Sequence, residues 1–316
     1  MAFNREITTK DDYPLSHLLL DAVTELDFFN QAPRVVRDLL GVTVDETMFR
    51  AYTGDMTWEE LAEGEHPRTG TMDSREMTFA VKTYGKSLGY TQEFIEDNGR
   101  DMIQRHFTKM VEGALDKEHE VVFDVVRNGW ADGSQLWFDV PDHGAYTFSR
   151  THDHTFADTQ ELFEADGDTD TGAHTRVEHI REASKEIRHH GMRPNVALMS
   201  QEFASEVIGE LTWDNSFVIP QFEDLRSVAL PDATVTIDGV SYLQTAYLQG
   251  DEVHVIAADE KPLAFHVRRP VTLTQGANGA PVGDPGQLIG AYGSARYGAA
   301  ITNPLAGVKF TADNIA

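Results

Sequence analysis

The chain contains no cysteine. That excludes a disulfide framework, thiolate metal clusters and a cysteine nucleophile. Bases are scarce as well: 26 Lys+Arg stand against 52 Asp+Glu, a formal charge of -26. Only eight of them are lysines, at positions 10, 82, 86, 109, 117, 185, 261 and 309. No apolar run approaches the roughly 18–20 residues of a membrane-spanning helix. The opening residues, MAFNREITTKDDYPLSHLLLDAV, put an acidic pair where a secretory leader carries its apolar core, so neither export nor anchoring is expected. There is no GxxxxGK[ST], no GxSxG and no HExxH, which removes the usual anchors for nucleotide binding, serine hydrolysis and zinc proteolysis.

What is present is a chain of 316 residues, 41% hydrophobic and 25% charged, enough for one large or two modest cores. The acids are spread along the whole length rather than gathered in a tail. At ordinary ionic strength such a surface repels itself, whereas molar salt shortens the Debye length to about 3 Å. Dispersed acids with few lysines point to a halophilic setting; an ordinary acidic cytosolic protein is the alternative. Binding nucleic acid through its phosphates is disfavoured, because that needs concentrated Lys and Arg.

Periodicity then orders the chain. Residues 11–40 read as short helix broken at Pro33, and residues 41–95 as a long Gly-punctuated excursion with strand-like flanks such as MTFAVKTYG. An excursion without a core of its own is expected to pack on something else. From about 100 to 128, apolar residues at Ile103, Phe107, Met110, Val111, Ala114, Leu115, Val122, Phe123 and Val126 mark one face of a long helix that Asn128-Gly129 stops. HTRVEHIREASKEIRHHG reads as a helix closed by Gly191, RPNVALMS as a strand, and QEFASEVIGEL as a helix opened by Ser200. Short strands follow to residue 270, with turns at Gly239 and Gly250-Asp251, and the tail carries strand signals separated by glycine. The fold class is α+β, in two lobes joined by crossing segments.

The stretch SRTHDHTFADTQELFEADGDTDTGAHTRVEHI, residues 149–180, is the foremost candidate for chemistry. Its His152-Asp153-His154 step would turn both rings the same way only on a regular strand, and a zinc site also needs a ligand from a distant segment. DGDTDTG puts Asp166, Asp168 and Asp170 at positions 1, 3 and 5 of a calcium loop. Thr171 stands where Gly is required and Val177 where Glu is required, so the EF-hand pattern fails. A weak calcium, magnesium or sodium site and a solvated acidic turn both stay open. A metal-dependent hydrolase using the 152–179 His/Asp cluster is the enzymatic alternative. His189-His190 fits a helix C-terminus through the dipole alone. Arg268-Arg269 stands out because bases are rare and reads as a subunit contact or internal ion pair.

The order of elements resembles the major capsid proteins of tailed viruses, with the HK97-like fold. TFAVKTYGKSLGYTQEFIEDN looks like the strand and turn entering the spine helix, and GRDMIQRHFTKMVEGALDKEHEVVFDVV like that helix. RPNVALMSQEFASEVI is similar to the entry into the axial lobe; PLAFHVRRP and RYGAAITNPLAGVKF are similar to the closing strands of the peripheral lobe. The resemblance implies an N-terminal arm over 1–44, an extended loop over 45–88, and a peripheral domain over 89–189 holding the spine helix and an acidic insertion. An axial domain over 190–259 and a return to the peripheral domain over 260–316 complete it. It implies a non-enzymatic subunit that assembles into pentamers and hexamers, forming an icosahedral shell around double-stranded DNA without sequence-specific binding. Portal, scaffold and accessory capsid proteins are the implied partners, no membrane is involved, and the implied location is the virion, assembled in host cytoplasm. The acidity implies a virus of a halophilic archaeon. A shell subunit of an encapsulin-like compartment is the near alternative. Apolar residues of the excursion (Phe49, Tyr52, Met56, Trp58 and Leu61), with Arg268 and Arg269, are the candidate inter-subunit contacts.

Overall fold

The computed structural model describes residues 9–12, 14, 17, 21, 24, 34–53, 73–165, 174–213, 235–277 and 289–312. The spine is α3 (Arg100–Asn128), preceded by α1 (Val35–Leu40) and α2 (Gln92–Asp97). At 1.5 Å per residue its 29 residues span about 43 Å. Asp101 in its first turn and Arg127 in its last complement the helix dipole, and Gly129 caps it. Ile103, Phe107, Val111, Val122, Phe123 and Val126 are its buried stripe, as the spacing predicts, while Met110, Ala114 and Leu115 are only half-buried.

Two sheets flank the spine. The first joins β1 (Gly41–Thr43), β10 (Leu263–Ala277), β11 (Ile289–Ile301) and β4 (Lys82–Tyr90), with β1–β10 parallel and the other pairs antiparallel. Of the tail glycines, expected to separate strands, Gly290, Gly293 and Gly298 instead lie inside β11. A Cβ at Gly298 would collide with the Ala80 carbonyl oxygen, so glycine there serves a close backbone approach. MTFAVKTYG divides in turn: β3 (Asp73–Thr78) ends before Phe79 and β4 begins at Lys82, so one strand signal becomes two elements.

The second sheet has six strands in the order β5 (Thr155–Phe156), β12 (Gly307–Thr311), β9 (Glu252–Ile256), β6 (Val196–Met199), β8 (Val240–Gln244), β7 (Val235–Ile237). It crosses the boundaries read from the sequence. β5 from the stretch before 189 and β12 from the final stretch both enter the sheet made by the strands between 190 and 259. Sequence order could not show this, because β12 is recruited by hydrogen bonds to β9 over 50 residues earlier.

Both faces of this sheet are covered, which is why β6 reads as four consecutive buried apolar residues. Ala197 and Met199 pack with Val253, Val255, Val308 and Phe310 beneath α4 (Thr159–Ala165), α5 (Arg176–His189) and α6 (Gln201–Trp213). Val196 and Leu198 pack on the opposite side with Val122, Phe123, Trp130, Ile256 and Phe265, against the spine. α5 opens on a capping box, with Thr175 accepting from the Glu178 amide and Glu178 reaching back. No helix among the described residues is long and apolar enough to cross a membrane.

Candidate functional site

The excursion forms a hairpin of β2 (Met48–Thr53) and β3, in register from Met48↔Thr78 to Thr53↔Asp73. Its described side chains, at 48–51 and 74–79, are all exposed or half-buried, and none joins a buried apolar cluster. Phe49 stacks on Phe79 at 6.1 Å, and Arg50 pairs with Glu76 at 2.8 Å. One ion pair, Arg75 to Asp139 at 3.2 Å, ties the hairpin to the segment after the spine. A two-stranded ribbon of this kind is marginal by itself. Tyr52 stands opposite Ser74, whereas Met56, Trp58 and Leu61 lie outside the described residues. Arg268 and Arg269 are exposed on β10, at a bulge where the register skips between Val267 and Arg269 and faces Arg296. Beneath the middle of the spine, where Met110 and Ala114 are half-buried, a cleft of about 650 Å³ opens against Tyr84, Leu88 and Leu273.

The histidines divide differently from their order in sequence. His174 stacks on Phe163 at 4.1 Å and His179 meets the same ring edge-on, both at the start of α5. His152 and His154 instead meet His190, the cap at the other end of α5, and their ligating atoms all lie within 4.8 Å of one another. The 152–179 grouping therefore does not form a single site among the described residues. Asp166, Asp168 and Asp170 lie outside the described residues. Spacing missed the true grouping because its third member arrives 36 residues later, carried by a helix. The only local signal was two histidine pairs, His-x-His and His-His.

Geometry assigns the tautomer of His154. Its Nδ1–H donates to the Gly307 carbonyl at 3.0 Å, which leaves Nε2 as a lone pair 3.0 Å from His190 Nε2. His154 is fully buried, and Phe148 leans over His190 and His152 with centroids 4.0 and 5.2 Å away. Burial pushes all three imidazoles below the usual histidine range, His190 to about 3, helped by the neighbouring rings. That burial favours the neutral form of each ring.

A second buried array lies on the other side of β12. His254, with no exposed surface, accepts from Trp130 Nε1–H at 3.0 Å and donates from Nε2 to Glu252 at 3.0 Å. Glu252 also takes three hydrogen bonds from Arg127, Nε–H shared between its two oxygens and Nη2–H on Oε2, and lies 3.5 Å from Lys309. Burial raises the Glu252 carboxyl, but the hydrogen bonds from His254 and Arg127 and the Lys309 charge outweigh it, holding it far below the carboxylate range. Burial lowers His254, so the pair is a neutral imidazole on a carboxylate. Every hydrogen-bonding atom of that imidazole is satisfied, and the array serves the core.

None of the curated proteins matches the sequence. Solved structures do match by fold. One from Mycobacterium phage Patience has a TM-score of 0.62 at 13% identity, covering 98% of this chain and 92% of its own. One from Gordonia phage Cozz has a TM-score of 0.58 at 12%, covering 88% and 86%. The capsid structure of cyanophage P-SCSP1u has a TM-score of 0.58 at 9%, covering 87% of each. Likeness at such identities establishes architecture, and it is the α+β architecture of the HK97-like capsid fold. Sequence carries the family itself: the model for phage capsid proteins matches residues 75–310, well over half of the chain. The spine helix, every strand of the first sheet but β1 and nearly all of the six-stranded sheet fall in that span, and the chain belongs to the phage capsid protein family.

Proposed function

We propose that the chain is the structural subunit of a virus shell, assembling into pentamers and hexamers of an icosahedral capsid that encloses double-stranded DNA, without catalysis. The observation that carries the reading is the β2–β3 hairpin, whose described side chains find no core in their own subunit. A neighbouring copy supplies one, which makes Phe49, Tyr52, Met56, Trp58 and Leu61 contact residues and the exposed Arg268 and Arg269 partners for a neighbour's acids. In this reading residues 1–44 are the arm and 45–88 the extended loop, 89–189 and 260–316 form the peripheral domain, and 190–259 form the axial domain, whose sheet β5 and β12 extend from outside those bounds. DNA is enclosed without base readout, consistent with the charge of -26. Portal, scaffold and accessory proteins complete the particle, built in host cytoplasm and finished as the virion. The acid excess suits a halophilic archaeal host, because like-charged subunits close against each other only under strong screening.

Electron microscopy and light scattering of the purified protein across a salt series test this. Closed shells in molar salt are the expected result. A 35.2 kDa monomer at every salt concentration overturns the shell reading. Shells equally stable at low salt overturn only the halophilic part.

A further inference from the structure

The structure assigns a metal site of the zinc class to His152, His154 and His190, a staple within the subunit that is independent of the shell reading. Three imidazoles suit zinc and its first-row neighbours, whereas calcium, magnesium and sodium prefer oxygen ligands. A tetrahedral ion with Zn–N bonds near 2.0–2.1 Å needs ligand atoms about 3.4 Å apart. The observed spacing, 3.0 Å between His154 Nε2 and His190 Nε2 and no more than 4.8 Å within the trio, brackets that value.

Three further features point the same way. The His154 Nδ1–H bond to the Gly307 carbonyl is the outer hydrogen bond that fixes a ligating histidine, turning Nε2 inward. Without an ion, His152 Nε2 and His190 Nδ1 are both buried with no hydrogen-bond partner; an ion bound through His152 Nε2 and His190 Nε2 leaves only the second. His190 also caps the negative end of α5, where a cation is favoured. No Asp or Glu oxygen joins the trio as a ligand among the described residues. The role assigned is structural: the ion ties the segment after the spine and, through the Gly307 bond, β12 to the end of α5.

The test uses the purified full chain, stripped with chelator and titrated with Zn²⁺ or Co²⁺. Expected are one ion retained per chain after dialysis, visible Co²⁺ bands of tetrahedral intensity, and a melting temperature that rises with zinc. His152→Asn and His190→Asn should weaken binding by more than the roughly 10–100-fold that loss of an outer partner costs. His174→Asn, at the other end of α5, should bind as wild type. Absence of the Co²⁺ bands and of retained zinc in the folded wild-type chain overturns the assignment. So do His152→Asn and His190→Asn variants that bind as tightly as wild type. The wild-type titration decides the matter even where a variant fails to fold.

Discussion

Gly307→Ala adds one methyl group to β12, and the structure makes it expensive. The new Cβ would lie 2.6 Å from Cε3, Cζ3 and Cη2 of Trp130. Ordinary carbon contacts are about 3.5–4.0 Å, so the indole must retreat by ~1 Å. It has little room, being 4% exposed and held by its Nε1–H bond to the fully buried His254. A 1 Å slide breaks that 3.0 Å bond and leaves a buried donor and acceptor unmatched. Overpacking costs about 1–3 kcal/mol and a stranded buried polar group about 1–3 kcal/mol, so the substitution should destabilise by ~3 kcal/mol. Gly307 is not in the left-handed region, so no backbone strain confuses the sign. An alanine that merely fitted would stabilise by about 0.4–1 kcal/mol through the unfolded chain. Chemical denaturation of the unassembled subunit measures the difference, and thermal melting should drop by roughly 5–10 °C. Adding Trp130→Phe should give a double variant less destabilised than the sum of the singles, since the two groups compete for one space. A Gly307→Ala protein at or above wild-type stability, or strict additivity with Trp130→Phe, refutes the reasoning.

Glu252 has a folded pKa below its unfolded value, so its contribution is full above about pH 4.5 and is lost as pH falls below that. Melting curves between pH 3 and 6 should decline at up to ~1.4 kcal/mol per pH unit from this group, and Glu252→Gln should flatten that part of the profile. Glu118 is 7% exposed and meets Arg37 at 2.7 Å and Arg34 at 3.4 Å, so Glu118→Gln, which weakens two charge-assisted contacts at a buried site, should cost about 1.5–3 kcal/mol in denaturant unfolding. Phe107→Ala empties a fully buried position on the spine and should cost about 3–5 kcal/mol by the same assay. Phe49→Asp, on the half-buried hairpin, should leave the subunit's melting temperature nearly unchanged while abolishing shells in sedimentation; intact shells would remove Phe49 from the contact set.

The spine helix was legible because its period is local: Ile103, Phe107, Val111, Val122 and Val126 recur at helical spacing, and Asn128-Gly129 ends it where the structure does. The helix opened by Ser200 was legible for the same reason, with Ser200 Oγ accepting from the Phe203 amide at 3.1 Å. Glycine misled in β11, since it marks a turn or a close approach with the same letter, and only the neighbouring Ala80 carbonyl distinguishes them.

Composition and local pattern alone determined the class of molecule: cysteine-free, strongly acidic, α+β, with one long amphipathic helix and an excursion lacking a core. Each of these follows from residue counts or from contacts within a turn or two of chain. Tertiary structure alone decided that β12 joins the six-stranded sheet, that Trp130, His254 and Glu252 form one buried array, and that His190 meets His152 and His154. Those groupings depend on which distant backbone hydrogen bonds form and on where a helix of 14 residues ends. A linear sequence carries no mark of either.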